Sequence, residues 1–149
     1  MRTFSATRDI AASPARVWAV MTDIERWPEW TASMTRVERL QPGPLGVGSR
    51  VRVKQPKLAL ADFQITAWQP GREFDWVTKS LGVTAVARHR IEAAGDGARA
   101  TLSVEFSGWP AGLVVWWFGD LTQRYVAMEA DGLKRRSEDG LPNSRELSG

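Results

Sequence analysis

The sequence contains no cysteine and a single histidine, His89. Without cysteine, the chain can form neither a disulfide bond nor a zinc site built on thiolates. A transition-metal site would then need an almost entirely carboxylate set of ligands, which is rare. The phosphate-binding loop, the dinucleotide fingerprint and the acidic calcium loop are also absent from the sequence. We therefore predict that the protein uses no metal and no cofactor.

Long apolar runs and a strong net charge are also lacking. The most apolar stretch, residues 113–118, is too short to cross a bilayer, so we expect no stable membrane insertion. No cationic segment precedes an apolar run near the N-terminus, which makes the cytoplasm the expected location. The net charge is only +3, and the basic residues are spread along the chain. We therefore predict no nucleic-acid partner.

Tryptophan, in contrast, is abundant, with eight residues against one tyrosine. Large aromatic side chains can fill a core, line a cavity or face a partner, and the count alone does not choose among these roles. The choice depends on where the predicted elements bring these side chains together.

Two short helices are predicted after the first strand. Ser13 followed by Pro14 is typical of an N-cap and a first helical position. Asp23 is the candidate cap of a second helix that carries the segment Trp27-Pro28-Glu29-Trp30. The proline makes one long continuous helix unfavourable, so we expect a sharp corner between the two helices.

Strand and turn signals then alternate up to residue 107. Apolar and polar side chains alternate along the strands, and turn segments rich in glycine or proline lie at residues 41–48, 70–71, 80–82 and 95–97. No crossover helix divides the strands, which predicts an antiparallel meander with one apolar face. The predicted strands span residues 3–11, 34–40, 50–55, 60–69, 72–79, 83–92 and 101–107.

A long helix over residues 109–136 is predicted to end the domain. On a helical wheel it carries two apolar stripes, so it must be covered on two sides, and the sheet is the element that can curve around it. The broad stripe contains Leu113, Val114, Trp117, Phe118, Leu121, Tyr125 and Met128, and the narrow stripe contains Val115, Val126 and Leu133. We predict one α+β domain over residues 1–136 and a disordered tail over 137–149.

This order of elements resembles the START-like or Bet v 1-like (SRPBCC) superfamily, in its polyketide cyclase/dehydrase-like branch. The resemblance covers residues 3–136, and its most specific segments are Ser13-Pro14-Ala15-Arg16-Val17-Trp18 and Trp27-Pro28-Glu29-Trp30. His89 ahead of Ile91, the hairpin at Gly97 and the glycine at Gly108 also fit. The resemblance implies a helix-grip fold, in which a seven-stranded antiparallel sheet bends around the C-terminal helix and leaves a cavity. It also implies binding of hydrophobic small molecules, which some members cyclise or dehydrate.

The candidate ligand-binding residues come from separate elements that face the space between sheet and helix. They are Trp30, Phe63, Phe74, Trp76, His89, Phe106, Trp117, Leu121, Arg124 and Tyr125. These side chains either fill the space or leave a pocket. Ala61, Ala67, Ala85 and Ala87 on the same face contribute little volume, which favours a pocket.

Three of these residues carry polar groups with open roles. His89 is either a general base or acid or a hydrogen-bonded interior histidine. Tyr125 either offers its hydroxyl to a ligand or packs with its phenol reaching the surface, and Arg124 either binds a ligand anion or forms a salt bridge at the rim.

Two functions remain open at this point. The first is binding of a hydrophobic aromatic, polyketide-like or lipid-like molecule in an internal cavity, with or without cyclisation or dehydration. The alternative is a non-enzymatic interaction protein that docks a protein or membrane through exposed tryptophans near Trp109, Trp116 and the Trp27–Trp30 corner. A homodimer through Trp116, which lies off both apolar stripes, is a further hypothesis.

Overall fold

A single antiparallel sheet of seven strands wraps the C-terminal half of a long helix in the computed structural model, which describes residues 2–139. The spatial order of the strands is β1-β7-β6-β5-β4-β3-β2, so only β1 joins the sheet out of sequence. The strands are β1 (Arg2–Ile10), β2 (Arg36–Arg39), β3 (Arg50–Lys54), β4 (Ala61–Gln69), β5 (Glu73–Ser80), β6 (Val83–Ala94) and β7 (Gly97–Ser107). The predicted helix-grip architecture is confirmed.

Two short helices follow β1, as predicted. Helix α1 (Pro14–Thr22) begins where the Ser13 hydroxyl accepts a hydrogen bond from the Arg16 amide at 3.1 Å. A 3₁₀ helix (Ile24–Glu29) follows at once and contains Pro28. Asp23 occupies its N-cap position, but its side chain makes no capping hydrogen bond, so that part of the prediction was wrong.

The strand ends differ from the predicted ones mainly at the hairpin between β6 and β7. A two-residue turn at Gly95 and Asp96 lets Ala94 pair with Gly97, so both strands extend to the turn. The sequence pattern predicts a start of β7 at residue 101, because glycine and alanine carry little strand signal.

A β-bulge in β4 corrects the predicted orientation of Ala67. The register shifts between Ile65 and Ala67, and from there Ala67 pairs with Asp75 while Trp68 pairs with Phe74. Phe74 is buried, so Trp68 joins the interior and Ala67 turns to the outer face. A strict period of two cannot anticipate one extra residue in a strand.

The long helix α2 spans Ala111–Glu138 and leaves Trp109 before it. It continues two residues past the predicted domain boundary, and Ser137 is fully buried. Its last turn is anchored by Arg16 of α1, whose guanidinium donates to the carbonyls of Arg136 and Ser137 at 3.3 and 3.4 Å. The predicted tail from residue 140 onward lies outside the described residues.

Only the C-terminal half of α2 is enclosed. Tyr125, Val126, Ala130 and Leu133 are buried, and Gly132 lies so close to the Trp30 carbonyl that a Cβ there would collide with its oxygen. The N-terminal half projects its large apolar side chains outward, so the prediction of cover on two sides was wrong there. A helical wheel identifies apolar arcs, but it carries no information on whether a neighbour reaches them.

The core between the sheet and the helices is dense and aromatic. Trp27, Phe74, Met21 and Ile24 are almost completely buried beside the sheet. Within residues 2–139, no helix combines the length and the apolar character that a bilayer crossing requires.

Candidate functional site

A cavity of about 200 Å³ lies between the sheet and the enclosed half of α2. Its wall is mainly apolar, with a few polar groups set among aromatic rings and small side chains. Apolar members include Met34, Val53, Leu58, Ala59, Ala61, Phe63, Trp76, Ala85, Ala87, Leu102, Val104, Phe106 and Val126, and polar members include Gln55, Thr78, His89, Thr122, Tyr125 and Glu129.

The sheet supplies its part of the wall by strand alternation. Trp76 on β5, Ala87 on β6 and Val104 on β7 lie side by side in register, and all three line the cavity. Two residues from the Ala87–Val104 pair along β6 and β7, Ala85 pairs with Phe106 in the same wall. Small side chains next to large rings leave the space open, as the predicted alternation of rings and alanines indicated.

The helix supplies its part at the spacing of one face. Thr122, Tyr125, Val126 and Glu129 follow one another at intervals of three, one and three residues, and all four line the cavity. Tyr125 is buried, and its hydroxyl donates to the carbonyl of Pro56. That bond ties the segment after β3 to α2 at the edge of the cavity, so the hydroxyl is engaged by the protein.

Half of the predicted ligand-binding residues line the cavity. Phe63, Trp76, His89, Phe106 and Tyr125 are all in its wall.

The other five lie elsewhere. Trp30 and Phe74 are buried in the core outside the wall, because the space beside them is filled by neighbouring side chains. Trp117 is 66% exposed, which contradicts its predicted inward orientation. Leu121 is half-buried outside the wall, and Arg124 is exposed and forms no ion pair within residues 2–139.

His89 is held as a neutral ring in an aromatic enclosure. It stacks on Phe74 with ring centres 4.2 Å apart and planes 13° apart, and Trp27 and Trp76 approach from other sides. Burial lowers the pKa of His89 to about 4, and its Nδ1 lies 3.1 Å from the carbonyl of Phe74. Because a carbonyl only accepts, Nδ1 carries the proton and Nε2 is the free acceptor.

Sequence reasoning missed the polar wall residues Gln55, Thr78, Thr122 and Glu129, of which Glu129 carries the carboxyl group. Glu129 is only 9% exposed, and its carboxyl has no hydrogen bond or ion pair to another side chain or to the backbone within the described residues. Burial raises the pKa of Glu129 to about 8, so the carboxyl is mostly protonated at neutral pH. The signal was available, since Glu129 lies four residues after Tyr125 and three after Val126, but a search for apolar stripes passes over a charged residue.

Comparison with known proteins identifies the family. The profile described as "Polyketide cyclase / dehydrase and lipid transport" matches residues 1–138. The chain belongs to this family.

Curated relatives of this family member are found in mycobacteria. Uncharacterized proteins of Mycobacterium bovis and Mycobacterium tuberculosis are each 26% identical over 102 residues, which is 66% of this chain. The match spans 61% of the length of these relatives.

Solved structures share the fold at low sequence identity. A Thermus thermophilus protein has a TM-score of 0.73 and 18% identity, covering 91% of this chain and 97% of its own. An aromatase/cyclase from Streptomyces sp. R1128 has a TM-score of 0.75 and 16% identity, covering 92% and 93%. A Thalictrum norcoclaurine synthase has a TM-score of 0.68 and 16% identity, covering 91% and 93%. The family description covers polyketide cyclases, dehydrases and lipid transport, and at these identities the solved structures show the shared fold alone.

A second feature of this family member is an apolar surface outside the cavity. We call it the tryptophan surface and define it as Trp109, Leu113, Trp116 and Trp117, which are 93, 61, 75 and 66% exposed. The rings of Trp116 and Trp117 meet edge to face at 5.2 Å. The four residues lie in or just before the first turns of α2, on the side of the helix that no described element covers.

Proposed function

We propose that the protein binds a hydrophobic small molecule, aromatic, polyketide-like or lipid-like, in the cavity between the sheet and α2. The observation that carries the proposal is an apolar cavity in a domain of this size, walled by rings and alanines and holding few polar groups. Such cavities are the usual form of a small-molecule site. The rings of Phe63, Trp76 and Phe106 offer faces on which a planar ligand can stack.

The volume limits the size of the ligand. An apolar cavity of about 150 Å³ accommodates benzene. The cavity of about 200 Å³ therefore fits one or two rings with short substituents. A longer polyketide would require the segment held by Tyr125 and Pro56 to move. Burial of roughly 200 Å² of apolar ligand surface would contribute about 5 kcal/mol before the costs of association.

Cyclisation or dehydration of the bound molecule is the catalytic extension of this proposal. The family and the aromatase/cyclase fold support it, and His89 is the candidate for a proton transfer because Nε2 is unprotonated at neutral pH. A ring with a pKa of about 4 is a weak base, so positioning of the substrate would contribute much of any rate acceleration.

Binding is tested with a panel of one- and two-ring aromatic ketones, hydrocarbons and fatty acids. A ligand should quench tryptophan fluorescence through Trp76 and raise the melting temperature. Ala85→Phe fills the cavity and should abolish both effects. Val86→Phe places the same ring on the opposite face of β6 and is the matched control. Equal binding by wild type and Ala85→Phe would refute the cavity as the site.

The catalytic extension has its own test. Once a substrate is found, His89→Gln should abolish turnover while binding of that substrate stays measurable. Unchanged turnover in His89→Gln would remove His89 from the mechanism and leave binding as the function.

A second candidate function is attachment to a bilayer surface through the tryptophan surface. Its three exposed indoles and one leucine form a group of the kind that lies at lipid headgroups, and no charged residue occurs between Trp109 and Gly119. In a sedimentation assay with phosphatidylcholine and phosphatidylglycerol vesicles, wild type should be found in the vesicle pellet. A variant with all three tryptophans changed to serine should stay in the supernatant. Light scattering on wild type and the triple variant measures the oligomeric state of each. If wild type is a dimer that does not bind vesicles and the variant is a monomer, attachment to a bilayer is rejected as the function of this surface.

A further inference from the structure

We propose that Glu129 is the specificity-determining residue of the cavity, and that it recognises an uncharged aromatic ligand through a carbonyl oxygen. The inference rests on the proposed binding function and names the chemistry of the ligand. Among residues 2–139, Glu129 provides the one carboxyl group of the wall, and no protein group binds that carboxyl.

The geometry isolates this carboxyl. Glu129 lies on the helix face that lines the cavity, between the apolar Val126 and the buried turn of Ala130 and Leu133. The residue is more than nine-tenths buried, and its carboxyl makes no hydrogen bond and no ion pair within residues 2–139. A buried polar group without a partner is costly, so such a group in a ligand cavity is a strong indication that a ligand completes it.

The positive charges near the wall are engaged elsewhere. Arg88 on β6 contributes to the cavity wall, but its guanidinium pairs with Glu105 at 3.3 Å and with Asp75 at 3.8 Å on the outer face of the sheet. At the end of β3, Lys54 directs its ammonium group to the carbonyls of Gln55 and Leu58.

The remaining titratable neighbours in the wall are uncharged. His89 on β6 is neutral, and the Tyr125 hydroxyl on α2 is engaged with Pro56. Glu129 therefore holds a proton at neutral pH, in agreement with its raised pKa of about 8.

A protonated carboxyl selects ligands by charge. Its O–H donates to a ketone or aldehyde oxygen, as neutral carboxylic acids do in other apolar sites. A ligand carboxylate would instead bring an uncompensated negative charge into the same wall, which is strongly unfavourable. The cavity should therefore accept aryl ketones and reject aryl carboxylates of equal size.

The test compares three probes of matched shape by calorimetric titration: 1-acetonaphthone, 1-ethylnaphthalene and 1-naphthoate. At pH 6.5, wild type should bind the ketone about tenfold more tightly than the hydrocarbon, the usual gain from one good hydrogen bond in a dry site. Naphthoate should bind more weakly than either. Glu129→Leu should bind ketone and hydrocarbon equally, whereas Glu129→Gln, which keeps a donor, should retain the preference for the ketone.

A pH series keeps the test independent of folding defects in Glu129→Leu. Between pH 6.5 and pH 9, the ketone affinity of wild type should fall about tenfold as Glu129 loses its proton, and that of Glu129→Gln should stay constant.

Several outcomes would overturn the inference. Equal binding of ketone and hydrocarbon by wild type, or naphthoate binding as tight as ketone binding, would contradict it. A ketone preference that survives Glu129→Leu would do the same. If neither ketone nor hydrocarbon binds, the proposed binding function itself fails, which is a distinguishable result.

Discussion

The pH dependence of the free energy of unfolding reports the protonation state of Glu129 without any ligand. Its pKa is about 8 in the folded protein against 4.5 for the unperturbed group, so the folded state holds a proton that the unfolded state releases between these values. A raised pKa of this kind makes stability fall as pH rises, by about 1.4 kcal/mol per pH unit in that window. The full span corresponds to about 5 kcal/mol.

His89 acts in the opposite direction over part of this range. Its pKa is lowered from 6.5 to about 4, so stability from His89 is present above pH 6.5 and is lost as pH falls toward 4. The two effects oppose each other between about pH 4.5 and 6.5, where the stability curve should be nearly flat. Between pH 6.5 and pH 8 Glu129 contributes and His89 does not, and the Glu129 contribution should lower the stability of wild type by about 2 kcal/mol.

Urea unfolding of wild type and Glu129→Gln at pH 6.5, 7.25 and 8 measures this difference. Glu129→Gln cannot ionise, so its free energy of unfolding should stay constant while that of wild type falls. The gap between the two proteins should therefore widen by about 2 kcal/mol across the series. Parallel curves for the two proteins would refute the assignment of Glu129 as a buried, protonated carboxyl.

Two further predictions concern packing around α2. Gly132→Ala should destabilise the protein by about 3 kcal/mol or more, because the new Cβ would collide with the Trp30 carbonyl. Gly112→Ala is the control: its Cβ meets open space, so the change should be neutral or stabilise by up to about 1 kcal/mol. Thermal unfolding of both variants measures the difference, and equal effects would contradict the close approach at Gly132. Tyr125→Phe should cost about 1 kcal/mol in urea unfolding through loss of the bond to Pro56, and an unchanged midpoint would show that the hydroxyl contributes nothing.

The fold was predictable because its signals are local and repeated. Ser13 and Pro14 define the start of α1, and alternation along β5 and β6 correctly placed Trp76, Ala87 and His89 on the inner face. Each of these features depends on residues near in sequence, so periodicity and capping rules find it.

The site was predictable only in part, because its shape depends on neighbours that periodicity does not see. Trp117 shares an apolar arc with Tyr125, yet it lies N-terminal to the enclosed part of α2 and is exposed. The β-bulge in β4 orients Ala67 to the outer face of the sheet and Trp68 to the inner face. Glu129 was missed for a related reason: its burial follows from the packing of its helix, whereas its residue type predicts exposure.

A crystal structure of the protein with 1-acetonaphthone tests the central claim most directly. We predict density for the rings between Phe63, Trp76 and Phe106, with the ketone oxygen within hydrogen-bond distance of Glu129. A saturated crystal with an empty cavity, or with the molecule only on the tryptophan surface, would contradict the account.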